Sequence, residues 1–212
     1  NIIGMLNVLE AARLNNIKKI IFPSASSMIG IAKENPVTEQ HPTTPKTAYG
    51  VSKLACEHYL RIYKELYDMN YVVFRFFNIY GPYQANGLIP NIFSKLKKNE
   101  PITVFGNGDQ MRDYVYIEDM IKYFSKAITS NIADNQVINM GTGQGATVKD
   151  VIELASKQVG IEPKIDYKPE RPGEITNFVA DTKLLRALFG SVPSTPLDEG
   201  LRLTHEWLNG KQ

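Results

Sequence analysis

Apolar positions along this 212-residue chain change their period several times, and each change marks an element. Ile2, Ile3, Met5, Leu6, Val8, Leu9, Ala11 and Ala12 are apolar almost all round a helix, which therefore needs cover on two sides. Such a helix at the first residues suggests that the chain is the later part of something longer. "KKIIFP" at 18–23 predicts a buried strand, and 48–68 a long helix. "YVVFRFF" at 71–77, rich in β-branched and aromatic residues, predicts a second strand. The pattern then gives a helix near 88–98, a strand at 102–105, a helix at 117–129, a strand at 136–140 and a helix at 147–159. A short strand at 164–167 and helices near 181–189 and 197–208 complete it. Strand alternating with helix argues for an α/β fold with mainly parallel strands. Pro- and Gly-bearing loops at 30–47, 81–90 and 168–174 fall at strand ends, where such folds hold ligands.

Composition narrows the function classes. Hydrophobic content of 43% and charged content of 22% are ordinary for a soluble globular protein. A net charge of +2 gives no basis for a nucleic-acid or anionic-membrane partner. The single cysteine, Cys56, excludes an internal disulfide framework and fits a reducing compartment. No apolar run is long enough to span a bilayer, and the first residues lack the basic start of a signal peptide, so the cytoplasm is the expected setting. His58 and His205 have no partners at metal-ligand spacing, and no metal site is expected.

"INMGTGQGATVKDVIELA" has the strand, glycine turn and helix order of a dinucleotide fingerprint. Its glycines at 141, 143 and 145 do not give that spacing, and Gln158 stands about where a ribose-binding acid is sought. It reads instead as a tight turn into a helix capped by Thr147, with Asp150 three residues on. "GNGD" at 106–109 reads as a turn.

The chemistry centres on "TPKTAYGVSKLACEHY", where Tyr49 and Lys53 lie one helical turn apart. The spacing alone is weak, because eleven tyrosines give about one such pair by chance. A phenol is a poor base near neutral pH, and an ammonium one turn away favours its ionised form. Such a couple can take a proton from a sugar hydroxyl if something else accepts hydride, which calls for a nicotinamide cofactor. A hydroxyl donor after the preceding strand would complete the site, and "FPSASSMIG" offers Ser24, Ser26 and Ser27.

The order "PSASSMIG", "YGVSKLACEHY", "FRFFNIYGP", "GDQMRDYVYIEDM", "RPGE" resembles the extended short-chain dehydrogenase/reductase family, closest to nucleotide-sugar members of the UDP-glucose 4-epimerase type. The likeness runs from "NIIGMLNVLEAA" to "DEGLRLTHEWL". It implies the C-terminal portion of a Rossmann-type doubly wound sheet plus a smaller α/β substrate domain. On that reading 1–82 and 114–142 are a partial NAD-binding domain, and 83–113 and 143–212 the nucleotide-sugar domain. It implies that Tyr49 is the general base, that Lys53 holds the nicotinamide ribose, and that Phe76 stands near the nicotinamide of NAD. On the substrate side it implies Asn78 at the diphosphate, Leu88, Thr103 and Phe105 at the nucleobase, Arg112 and Arg171 on the pyrophosphate, and Glu174 on a ribose or sugar hydroxyl. Paired Arg–phosphate bonds make physical sense independently. The resemblance also implies a homodimer through the helices at 1–14 and 48–68.

Three departures carry weight. The family's Gly-rich cofactor turn and ribose-binding acid lie before Asn1, so the chain as it stands is not expected to bind NAD well. The catalytic Ser or Thr position, five residues before Gly30, holds Ala25. Losing a hydrogen bond to a developing oxyanion can cost about 3 kcal/mol, and Ser26, with Ser24 as the other substitute, is expected to compensate. Ile29 replaces a usual Tyr. Where dehydratases carry Asp-Glu and decarboxylases Ser-Glu, this chain has Ser26 and Ser27, which favours epimerisation. Phe178, seven residues after Arg171, hints at the glucose/galactose pair over the N-acetylated one. The alternatives are a dehydratase or decarboxylase of the same family, a catalytically silent nucleotide-sugar-binding relative, and a purely structural α/β fragment.

Overall fold

The structure, a computed structural model, describes residues 1–170 and 177–210. In chain order it runs α1 (Ile2–Leu14), β1 (Lys19–Ala25), a 3-10 turn (Ser26–Met28), α2 (Ala48–Tyr67), β2 (Asn70–Phe76) and β3 (Asn78–Tyr80). There follow α3 (Leu88–Lys97), β4 (Ile102–Phe105), β5 (Met111–Arg112), β6 (Tyr114–Tyr116) and α4 (Ile117–Thr129). The chain then forms β7 (Gln136–Met140), β8 (Ala146–Thr147), α5 (Val148–Val159) and β9 (Ile165–Lys168). It closes with β10 (Asn177–Phe178), α6 (Lys183–Phe189) and α7 (Leu197–Leu208).

Strands β1, β2 and β7 form a parallel sheet in that order. Alternation along β2 divides its side chains between two faces. Tyr71 and Val73 meet Leu9 of α1 and Cys56, Leu60 and Tyr63 of α2. Val72 and Phe74 meet Tyr123 and Ala127 of α4 and Leu185 of α6 on the other face. Burying both faces is why β2 reads as a continuous apolar run. Helix α6 lies in the segment expected in the substrate unit, yet Leu185 packs with Ile138 and Met140 of the sheet, so position along the chain does not separate the layers cleanly. A second core gathers α3, α5 and α7 around Tyr80, Tyr114 and Tyr116.

Helix α1 buries Met5, Leu9 and Ala12 but leaves Ile3, Val8 and Leu14 exposed, so one of its two apolar sides is covered by the described residues. Helix α2 starts where Thr47 accepts a hydrogen bond from the Gly50 amide at 3.0 Å. The capping box of α5 forms as the sequence implies, with the Asp150 amide on Thr147 Oγ1 at 3.0 Å and the Thr147 amide on Asp150 Oδ2 at 2.8 Å. No helix of the described residues is long and apolar enough to cross a membrane.

Candidate active site

The site begins at the carboxyl end of β1, where the chain tightens into the 3-10 turn and leaves through Gly30. At Gly30 φ is +72°, and a Cβ would lie 2.1 Å from the Thr44 carbonyl oxygen, so only glycine fits. Thr44 returns two bonds to the Ile29 carbonyl, 3.3 Å from its amide and 3.1 Å from its hydroxyl, folding the loop back toward α2. The first turn of α2 then packs against the 3-10 turn. A Cβ on Gly50 would stand 2.8 Å from the Ser27 carbonyl oxygen, a contact that sets how closely Tyr49 approaches the end of β1.

Tyr49 is 51% exposed, while Lys53, one turn on, lies against the sheet. The Lys53 ammonium donates to the Pro23 carbonyl at 2.5 Å and lies 4.7 Å from the Phe22 ring centre and 5.8 Å from that of Tyr49. Burial holds this ammonium below its ordinary range, with the nearby Cys56 thiol acting the other way. An ammonium carries three N–H donors, and the Pro23 carbonyl takes one of those of Lys53.

The three serines after β1 are not equivalent. Ser24 is buried and its hydroxyl donates to Glu57 Oε1 at 2.8 Å, which directs its proton to α2. Ser27 Oγ is sealed from solvent without a hydrogen-bond partner among the described residues. Ser26 is 7% exposed and is neither tied to a carboxylate nor sealed in that way. Ala25 pairs with Phe76 across the sheet, and Phe76 packs its ring 5.8 Å from Phe124 of α4. Phe76 and Ala25 thus share the α4 face, while the Tyr49–Lys53 helix covers the other. Ile29, in place of a tyrosine, is fully buried with Met28, Phe77 and Phe178.

The substrate-side residues fall into linked groups. Asn78 and Leu88 line one cleft of about 260 Å³ with Gln84 and Tyr114. Asn78 donates to the Asp113 carbonyl twice, from its amide at 3.0 Å and from Nδ2 at 3.1 Å. Phe178 is buried and stacks on Phe77 with ring centres 5.0 Å apart, joining the 3-10 turn to the strand that bears Asn78. It also pairs in register with Arg112, whose guanidinium donates to the Met111 carbonyl at 2.9 Å. Phe105 lines a separate cleft of about 560 Å³ with Gln110 and Asn177, and Thr103 lies exposed on β4. Arg171 and Glu174 lie outside the described residues.

Two groups that hold this arrangement escaped the sequence reading. Asp113 is fully buried, and its carboxylate accepts from the Thr142 amide (2.8 Å) and hydroxyl (2.7 Å), the Gly143 amide (3.0 Å) and the Ala180 amide (3.2 Å). Burial nonetheless pushes its carboxyl above the ordinary range. The other is the buried ion pair of Glu57 and Arg75, at 2.8 Å. The available signal was a charged residue inside each apolar stripe: Glu57 beside Cys56 and Leu60, and Arg75 within "YVVFRFF".

Known proteins share this fold. The UDP-glucose 4-epimerase of Mycolicibacterium smegmatis is 29% identical over 216 residues, covering 100% of this chain and 69% of that protein. The structure of a UDP-glucose 4-epimerase with UDP-glucose from Thermotoga maritima superposes with a TM-score of 0.92 at 32% identity, covering 99% of this chain and 69% of that one. A UDP-N-acetylglucosamine 4-epimerase from Methanobrevibacter ruminantium in complex with UDP-N-acetylmuramic acid superposes equally well, with a TM-score of 0.92 at 30% identity, covering 100% of this chain and 69% of that one. The family profile described as "NAD dependent epimerase/dehydratase family" matches residues 1–141. With its parallel α/β sheet and the Tyr49–Lys53 helix at the strand end, the chain belongs to the NAD-dependent epimerase/dehydratase family.

Proposed function

We propose that this chain carries the catalytic couple and sugar-nucleotide site of a UDP-sugar 4-epimerase interconverting UDP-glucose and UDP-galactose. One observation carries the reading: Tyr49 and Lys53 stand at the end of β1 beside a turn made of Ser26, Ser27 and Met28, which contains no carboxylate. An elimination or decarboxylation wants an added acid or base there, whereas epimerisation needs only one proton carrier and its return.

NAD supplies the hydride acceptor and donor when bound, and Lys53 and Tyr49 would hold its ribose. Tyr49 takes the proton of the sugar 4-hydroxyl, with the Lys53 ammonium 5.8 Å from its ring centre. Ser26 donates to the 4-oxygen in place of the hydroxyl that Ala25 lacks. Asn78, Arg112, Arg171 and Glu174 anchor the nucleotide, with Leu88, Thr103 and Phe105 about the base. With NAD bound, the C4 hydride would leave to the nicotinamide and return to the other face once the 4-keto sugar had turned over, and Tyr49 would give the proton back to the 4-oxygen. Phe178, fixed by its stack on Phe77, keeps the wall near the sugar bulky and favours a 2-hydroxyl over an acetamido group. Two copies pair through the exposed apolar sides of α1 and α2, where Ile3, Val8, Leu14 and Leu66 stand in solvent.

Competition between UDP-glucose and UDP-N-acetylglucosamine in the intact protein tests the substrate. UDP-glucose turns over preferentially on this account, and a preference for the N-acetylated sugar overturns it.

A further inference from the structure

Tyr49, Lys53 and Glu57 are spaced four apart and form one ridge along α2, so Glu57 sits about 12 Å from Tyr49 along the axis. Lys53 and Glu57 each engage β1 at consecutive residues, through the Pro23 carbonyl at 2.5 Å and the Ser24 hydroxyl at 2.8 Å. Glu57 is 1% exposed, and both its oxygens also accept from Arg75, from Nε at 3.1 Å and Nη2 at 2.8 Å. Arg75 spends its remaining terminal nitrogen on the Glu39 carbonyl at 3.0 Å. The Glu39 carboxylate in turn accepts from the Asn139 amide at 3.0 Å. Ser24, Arg75 and Asn139 are register partners, one polar row across all three strands of the sheet.

We infer that Glu57 and Arg75 are positioning residues that fix the register of the Tyr49–Lys53 helix against the sheet. A buried ion pair is a poor source of net stability, because desolvation offsets most of the attraction. Its geometry is strict, however: a two-pronged Arg–carboxylate bond tolerates neither a slide nor a rotation of α2. Sliding α2 by even one residue would break the Arg75 fork, the Ser24 bond and the Lys53 bond together. The base is therefore held at the strand end by a clamp two turns further along the same helix. Misplacing a catalytic group by about 1 Å can cost about 100-fold in rate.

The inference rests on the epimerase reading only for its kinetic arm. In the intact protein, Glu57→Gln lowers kcat about 10- to 100-fold with KM for the UDP-sugar changed less than about 2-fold, and Glu57→Asp recovers part of the loss. Hydrogen exchange of residues 47–55 quickens in Glu57→Gln while residues 136–140 keep their protection. If Glu57→Gln does not fold, Ser24→Ala, which removes one bond and keeps the ion pair, gives a smaller loss in kcat and quicker exchange in the same segment. An unchanged kcat per folded molecule with unchanged exchange at 47–55 overturns the inference. Quickened exchange in a protein whose wild type turns over no UDP-sugar contradicts the epimerase reading and leaves the clamp standing.

Discussion

Ser27 and Glu39 show how single polar groups near the site bear on stability rather than chemistry. Ser27 Oγ is buried with no partner among the described residues, and an unpaired buried hydroxyl costs about 1–3 kcal/mol. Ser27→Ala should therefore raise stability by about 1 kcal/mol in urea denaturation and leave turnover nearly unchanged. Ser26→Ala should lower kcat by about 100-fold, as loss of a donor to a developing oxyanion does. Equal effects of the two substitutions on turnover would contradict the assignment. For Glu39, burial raises the folded carboxyl above its ordinary value of 4.5. The folded state then binds the proton more tightly than the unfolded chain. The contribution to stability is complete below about 4.5 and lost as pH rises through the folded value. Glu39→Gln keeps an acceptor for the Asn139 amide without the charge. Its melting temperature relative to wild type should thus rise between pH 4 and pH 7, and a difference independent of pH would refute the cause. The sequence marks Tyr49, Lys53 and Arg112 because chemistry needs those types at those places. The partners of Asp113 were not legible, being backbone amides and the Thr142 hydroxyl, and Glu57 stood out only as a charge in an apolar stripe whose partner, Arg75, lies 18 residues on.

Among the elements, α2 was the most legible and β3, β5, β6, β8 and β10 the least. Helix α2 spans 20 residues with a capping Thr, long enough for its period to stand out. The missed strands have two or three residues each, too few to show an alternation, and they form only through pairing with distant segments. The same limit hid how β5 and β10 bring Arg112 beside Phe178. The close approach of α2 to the 3-10 turn makes its own prediction. Gly50→Ala sets a Cβ 2.8 Å from the Ser27 carbonyl oxygen, so α2 must shift. The cost should be about 1–3 kcal/mol, with kcat falling more than the loss of folded protein explains. Thermal melts and kinetics normalised to folded protein check this, and a fall in stability alone would show that Tyr49 tolerates the shift.

At the scale of the whole molecule, the doubly apolar α1 was read from its sequence as needing cover on two sides, and the described residues supply one. If a second copy supplies the other, Val8→Glu should convert dimer to monomer in sedimentation while far-UV circular dichroism stays native. A variant that sediments like wild type would remove that interface. The parallel α/β order followed from alternation of strand and helix, whereas the packing of α6 on the sheet did not follow from its place in the chain. The proposed UDP-sugar epimerase activity depends on Tyr49 acting as its proton carrier. The most direct test is to incubate the intact protein, and its Tyr49→Phe variant, with UDP-glucose and NAD and to separate the sugar nucleotides. The account predicts UDP-galactose from wild type and a loss of about 100-fold or more in Tyr49→Phe with little change in KM. Equal conversion by the two proteins, or none by wild type, would contradict it.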